Sequence, residues 1–316
     1  MKKVLLASTA IIASASAAAA DVTLSGSGRF GIVYDSSQDA AGQSKTKIER
    51  RMTINVDGTG STDTGLEFGG RIRLRSDEGD TSGAAGSANI WMGNDMFRIT
   101  VGNTDGALVN RIAYFDGSVG LTGLHDADNS FNIGSSQFLL NTYSSRGNAG
   151  DVVRLDFNVG GFGVSLSTDS TGDHLSNGSE DSIAASYNFG DWTVAGGYAK
   201  NANNSATAAG EQDLWSVSVA GQISDFGVNL GYSDLESVGS KAVLSGSYAF
   251  DATTVTAFVA HTDEDTLGSA GIGAAGDETE YGIGFTHDLG GAVLAGGVSR
   301  NYTEETMADL GVRFAF

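Results

Sequence analysis

Apolar and polar residues alternate with a period of two along most of this chain, through to its last residue. In Leu310-Gly311-Val312-Arg313-Phe314-Ala315-Phe316 the even positions are mostly large and apolar, and the odd positions are small or charged. Such alternation puts every second side chain on one face of a β-strand. The first run, Val22 to Tyr34, sets Val22, Leu24, Phe30, Ile32 and Tyr34 against Ser25, Ser27 and Arg29. From Lys47 to Asp57, Ile48, Met52, Ile54 and Val56 share one face, and Lys47, Glu49, Arg51, Thr53, Asn55 and Asp57 the other. From Gly65 to Ser76, Leu66, Phe68, Ile72 and Leu74 oppose Glu67, Arg71, Arg73 and Arg75. Three arginines on one strand face cannot enter an apolar core, because a buried unpaired charge is too costly. That face meets water, so the greasy face must meet something apolar.

The same reading predicts strands at Ser87–Met92 and Phe97–Gly102, then at Val152–Val159, Phe162–Thr168, Ser182–Phe189, Trp192–Lys200, Asp213–Ile223, Phe226–Ser233, Lys241–Phe250, Thr254–His261, Glu280–His287, Ala292–Arg300 and Met307–Phe316. The total is about sixteen, with boundaries good to about two to four residues. Short and long connectors alternate. Gly160-Gly161, Gly190-Asp191, Ser224-Asp225, Asp251–Thr253 and Asp288–Gly291 are short; Asp169–Asp181, Asn201–Gln212 and Thr262–Thr279 are long and polar. All tight turns then fall at one end and all long loops at the other, as in a closed membrane barrel. Aromatics sort likewise. Phe189, Trp192, Phe226, Phe250, Phe314 and Phe316 lie near the short turns, and Tyr34, Tyr198, Trp215, Tyr232 and Tyr281 near the long loops. Two aromatic belts suit two lipid–water interfaces. Arg50, Lys200 and Arg300 break the phase, at strand ends where a long side chain can snorkel.

Composition narrows this. There are 46 glycines, no proline and no cysteine in 316 residues. Proline removes a ladder donor, so its absence suits continuous sheet. A formal charge of −20 argues against nucleic acid as a partner. Lys2 and Lys3, the apolar run Val4–Ala13 and the Ala18-Ala19-Ala20 ending read as a cleaved export leader, residues 1–20. Removing those two lysines from 18 basic residues leaves 16 against 38 acidic ones, or −22. The barrel is then residues 21–316.

Some apparent chemical motifs fail on context. Gly26-Ser27-Gly28-Arg29-Phe30-Gly31 matches a dinucleotide fingerprint, but it lies within a strand and no helix follows. His125, His174, His261 and His287 are scattered; His125-Asp126 and His261-x-Asp263 are the only pairs a hydrolase could use. Asp126-x-Asp128-x-Ser130 has oxygen-ligand spacing without the glycine and distal glutamate of an EF-hand, and leaves a loose Ca²⁺ site at Asp126 and Asp128 as the one metal expectation. No other cofactor is expected.

Asp21-Val22-Thr23-Leu24-Ser25-Gly26-Ser27-Gly28-Arg29-Phe30-Gly31-Ile32-Val33-Tyr34, the Gly160-Gly161-Phe162 turn and the terminal Phe316 resemble Gram-negative general diffusion porins, in the alphaproteobacterial branch typified by Rhodobacter porins. The resemblance spans the mature chain. It implies an all-β fold, a 16-stranded antiparallel transmembrane barrel with a long third loop folded inward. It further implies a homotrimer in the outer membrane, contact with lipid and lipopolysaccharide, and an assembly signal at Phe316.

The connector at 103–150 fits the third loop. Leu108, Ile112, Tyr114, Phe115, Leu121 and Leu124 could pack it against the wall, and its acids are Asp105, Asp116, Asp126 and Asp128. Arg29, Arg51, Arg71, Arg73, Arg75 and Arg98 form the expected basic wall. In the family a basic wall faces loop acids across the constriction. A narrow low-dielectric passage of that kind carries a transverse field. The expected function is passive diffusion of ions and small hydrophilic solutes. The net charge favours weak cation preference, and the arginine face opposes it. The alternatives are a substrate-selective channel and, further off, a barrel enzyme.

Overall fold

A computed structural model describes residues 21–39, 42–80, 82–112, 119–124, 145, 152–169, 180–200, 213–236, 239–263, 279–301 and 304–316. These hold seventeen strand segments in one antiparallel sheet. They are β1 (Asp21–Asp35), β2 (Thr46–Ser61), β3 (Glu67–Asp77), β4 (Ala84–Ala85), β5 (Asn89–Gly93), β6 (Phe97–Gly102), β7 (Val152–Val159), β8 (Phe162–Asp169), β9 (Asp181–Phe189), β10 (Trp192–Lys200), β11 (Leu214–Ile223), β12 (Phe226–Leu235), β13 (Gly239–Phe250), β14 (Thr253–Asp263), β15 (Thr279–Asp288), β16 (Val293–Arg300) and β17 (Thr306–Ala315). Both β4 and β5 pair with β3, so together they make one broken stave of sixteen.

The break has a local cause. The backbone N–H of Asn103 donates to Ala88 O, and its side chain donates to Ser87 O. The Ala88 bond continues the β5–β6 register, while against β3 the register slips by one residue between Leu74↔Ala85 and Arg71↔Asn89, which separates the two pieces. β1 pairs with β2 on one side and with β17 on the other, which closes the ring and leaves no free edge. Gly26 and Phe316 exchange both backbone bonds at that seam.

The faces are inverted relative to a soluble protein. Val22, Leu24, Phe30, Ile32, Ile48, Ile90, Leu230, Leu244 and Leu310 are exposed on the outside. Thr53, Ser165, Ser216, Ser233, Ser245, Thr256 and Asp309 are buried on the inside. Lys241, only 1% exposed, bonds Glu280 at 3.3 Å across the inner wall. Exposed apolar patches of this extent mark contact with lipid or protein. The aromatic belts also form. Phe226 stacks on Tyr248 with ring centres 4.4 Å apart, and Trp215 meets Tyr232 at 5.2 Å near the opposite end. The Gly26-x-Gly28 motif belongs to the lower belt: the rings of Phe316 and Phe314 lie over Gly26 and Gly28 where Cβ atoms would sit.

Tight turns join β7 to β8, β9 to β10, β11 to β12 and β13 to β14 at one end. Each opens on a residue with positive φ: Gly160, Gly190, Ser224 and Asp251. Two-residue hairpins need that twist to match the strands.

Candidate functional site

Register sets the inner wall in rows. Arg29 stands directly opposite Arg313 on β17 and Arg51 on β2, and Arg51 stands opposite Asp77 on β3. One row nearer the tight turns, Thr53 faces Arg75; the next pairs Asn55 with Arg73, and the next Asp57 with Arg71. Like charges directly opposite one another repel, so the wall needs counter-charge. Arg29 Nε donates to Glu49 Oε1 at 2.7 Å. Arg51 Nε donates to Asp77 Oδ1 at 2.7 Å, and Arg75 Nε donates to the same carboxylate at 2.9 Å. Arg73 Nε donates to Asn55 Oδ1 at 2.8 Å and Nη1 to Ser145 Oγ at 2.8 Å.

A cavity of about 480 Å³ opens between this wall and the connector. Arg29, Arg51, Arg73, Arg75 and Arg313 line it, with Leu121 and Ser145 on the connector side. Four of the six expected arginines thus converge. Arg71 sits lower on the inner wall, held bidentately by Asp57 at 2.6 and 3.2 Å. Arg98 faces inward near the β5–β6 turn, 4.1 Å over the Trp91 ring. Neither lines the cavity.

Two described pieces of the connector lie on the inner wall. The first is α1 (Ala107–Arg111), against β8, β9 and β10. Leu108 is fully buried with Ala184, Ala195, Ala199 and Leu214. The Ala107 N–H donates to Ser167 Oγ at 2.8 Å, and Asn110 Nδ2 to Asp156 Oδ1 at 3.0 Å. Arg154 bonds Asp156 at 3.0 Å and reaches the Asp105 carbonyl at 2.7 Å. Asp105 is therefore tied in at this anchor by its backbone, away from the arginine cavity.

The second piece is 119–124. The N–H groups of Leu121 and Thr122 donate to the two carboxylate oxygens of Asp309 at 2.8 and 2.7 Å, and the Thr122 hydroxyl adds a third bond at 2.6 Å. The Leu121 carbonyl accepts from Arg29 at 3.4 Å. Glycines on the inner wall admit this segment. A Cβ on Gly31 or Gly311 would come within 2.6 or 2.5 Å of the Leu121 side chain, and one on Gly284 within 2.7 Å of Gly120 N.

Asp116, Asp126 and Asp128, with the Ca²⁺ expectation at the last two, lie outside the described residues. Among the described residues no group of three His, Asp or Glu side chains is placed to hold a metal ion. Sequence reasoning missed Arg313, Asp309, Arg154 and the counter-ions Glu49 and Asp77. A signal existed for three of them: Glu49 shares the polar phase of Arg51, and Asp309 and Arg313 occupy the polar phase of the last strand, flanking Gly311.

Comparison with known proteins agrees with this geometry. A family model described as Gram-negative porin matches residues 7–306. A porin of Fuscovulum blasticum is 31% identical, over 94% of this chain and all of that one. A porin of Rhodobacter capsulatus is 28% identical, over 94% and 100%. A solved structure of a Rhodopseudomonas blastica porin triple mutant superposes with a TM-score of 0.78 at 30% identity, covering 94% of this chain and all of that one. A closed sixteen-stave barrel with a greasy exterior, a charged bore and this likeness along its length places the chain in the Gram-negative porin family, as an outer-membrane general diffusion channel.

Proposed function

We propose that permeation is governed where the arginine wall meets the connector, and that the step is diffusion without catalysis. One observation carries this: the charged side chains of β1, β2, β3 and β17 converge on a single cavity inside a ring that is apolar outside. Charges fixed in a narrow, low-dielectric bore act on a solute more strongly than charges spread over the surface. The described part of the cavity is basic, so it favours anions despite the acidic total. Asp116, Asp126 and Asp128 remain the loop acids proposed to temper it, with Ca²⁺ at Asp126 and Asp128 as an accessory; Asp105 stays with the α1 anchor. Planar-bilayer reversal potentials in a KCl gradient test the reading. A shift toward cations on neutralising Arg29, Arg51 and Arg75 supports it, and an unchanged potential refutes it.

We further propose a homotrimer sealed along β5 and β6. These strands have five and six residues. Six tilted residues rise about 15 Å, well short of an apolar band of about 25 Å. Ile90, Met92, Met96 and Val101 are exposed there. Arg50 also points outward nearby, bonded to the Asp77 carbonyl at 3.1 Å. A second copy against this low wall covers both features. Elsewhere the belts meet lipid and lipopolysaccharide, and Phe316 is the proposed handle for the assembly machinery.

A further inference from the structure

Arg313, Arg29 and Arg51 stand side by side on β17, β1 and β2, an arrangement that opposes folding unless something else rewards it. Glu49 answers Arg29. Asp77 answers both Arg51 and Arg75 with one carboxylate. Arg313 makes no ion pair and no side-chain hydrogen bond among the described residues, yet it lines the same cavity. Five guanidiniums therefore ring one space, and the carboxylates bonded to them among the described residues are two. The space, about 480 Å³, holds a hydrated anion comfortably, since a water occupies about 30 Å³.

From this we infer that the cavity is a saturable oxyanion station on the permeation path. It takes small solutes bearing two or more negative charges, such as phosphate or polycarboxylates. The inference rests on the reading of the chain as an open pore. Guanidinium forks match the paired oxygens of phosphate and carboxylate, which chloride lacks. Arg313 is the unoccupied fork, with Arg29 beside it and Arg51 beside Arg29 at the same height. Glu49 and Asp77 keep the site from holding an anion too tightly. Conduction needs binding strong enough to enter and weak enough to leave.

The test is single-channel current in KCl with added sodium phosphate, citrate or neutral glucose. Phosphate and citrate should reduce the chloride-carried current saturably, and glucose should not. Arg313→Gln should raise the half-blocking phosphate concentration about tenfold, the loss of one charge-assisted contact. Arg313→Lys keeps the charge without the fork and should fall between. Lys45→Gln, which removes a charge from an exposed loop, should move it less than twofold. Each variant is first checked for heat-modifiable migration and normal KCl openings, which separates binding from misfolding. Equal block in wild type and Arg313→Gln, or current linear in phosphate, overturns the station while leaving the pore intact. No openings in KCl at all would instead defeat the pore reading on which it rests.

Discussion

The carboxylate of Asp309 holds the Leu121 backbone N–H at 2.8 Å, joining the last strand to the middle of the connector. Two further donors from Thr122 complete the grip. The Leu121 peptide is then clamped, its N–H on Asp309 and its carbonyl near Arg29. Backbone fixed by a carboxylate holds its place better than backbone fixed by apolar packing alone, because these bonds are directional and charge-assisted.

Asp309→Ala should therefore free residues 119–124 while leaving the barrel closed. Removing three acceptor contacts costs about 1–3 kcal/mol for each donor left dry, less where water enters. The expected outcome is flickering openings and a lower voltage for closure, seen in single-channel records. Steady openings with wild-type noise would show that the clamp does not set the connector.

Gly311 tests the same contact from the wall side. A Cβ there meets the Leu121 side chain at 2.5 Å and crowds the Phe30 backbone across the seam. Gly311→Val should lower the temperature at which the folded band is lost on gels, because backbone cannot give way cheaply at a strand pair. Gly58→Ala, where a Cβ meets nothing within 4 Å, is the matched control.

Arg154 and Asp156 form the other anchor, both nearly buried. Arg154→Ala leaves the Asp156 carboxylate with the neutral donors Asn110 and Ser165 and the more distant Arg111 guanidinium at 3.9 Å. An uncompensated buried charge costs about 3–5 kcal/mol, and the remaining Arg111 keeps the loss below that. Urea unfolding in lipid vesicles should show a clear loss, and Arg154→Lys should recover part of it. No change would mean that the pair is solvated in the folded channel.

Much of the fold was legible because lipid outside and water inside impose one rule on every strand. The expected runs Phe97–Gly102, Val152–Val159 and Trp192–Lys200 coincide with β6, β7 and β10. The strand expected at Ser87–Met92 is β5, which starts two residues later, past the register slip against β3 and the carbonyls at 87 and 88 that bond Asn103, and the short β4 ahead of it lay outside the expected run. The arginines of β1 to β3 were legible from phase alone. Their rows were not: Arg313 meets Arg29 only because the barrel closes, and closure depends on register that alternation leaves open. Inward glycines such as Gly31, Gly284 and Gly311 were the unread sign of a segment pressed against the wall.

Sidedness underlies all of this, and adjacent residues on β3 test it most directly. Arg73 lines the cavity, while its neighbour Leu74 is exposed on the outer face. The chain has no cysteine, so single replacements report cleanly. In channels reconstituted into planar membranes, a water-soluble thiol reagent should react with Arg73→Cys and change its current in steps. Leu74→Cys should be untouched by the same reagent. Rapid modification of Leu74→Cys with a silent Arg73→Cys would contradict the account.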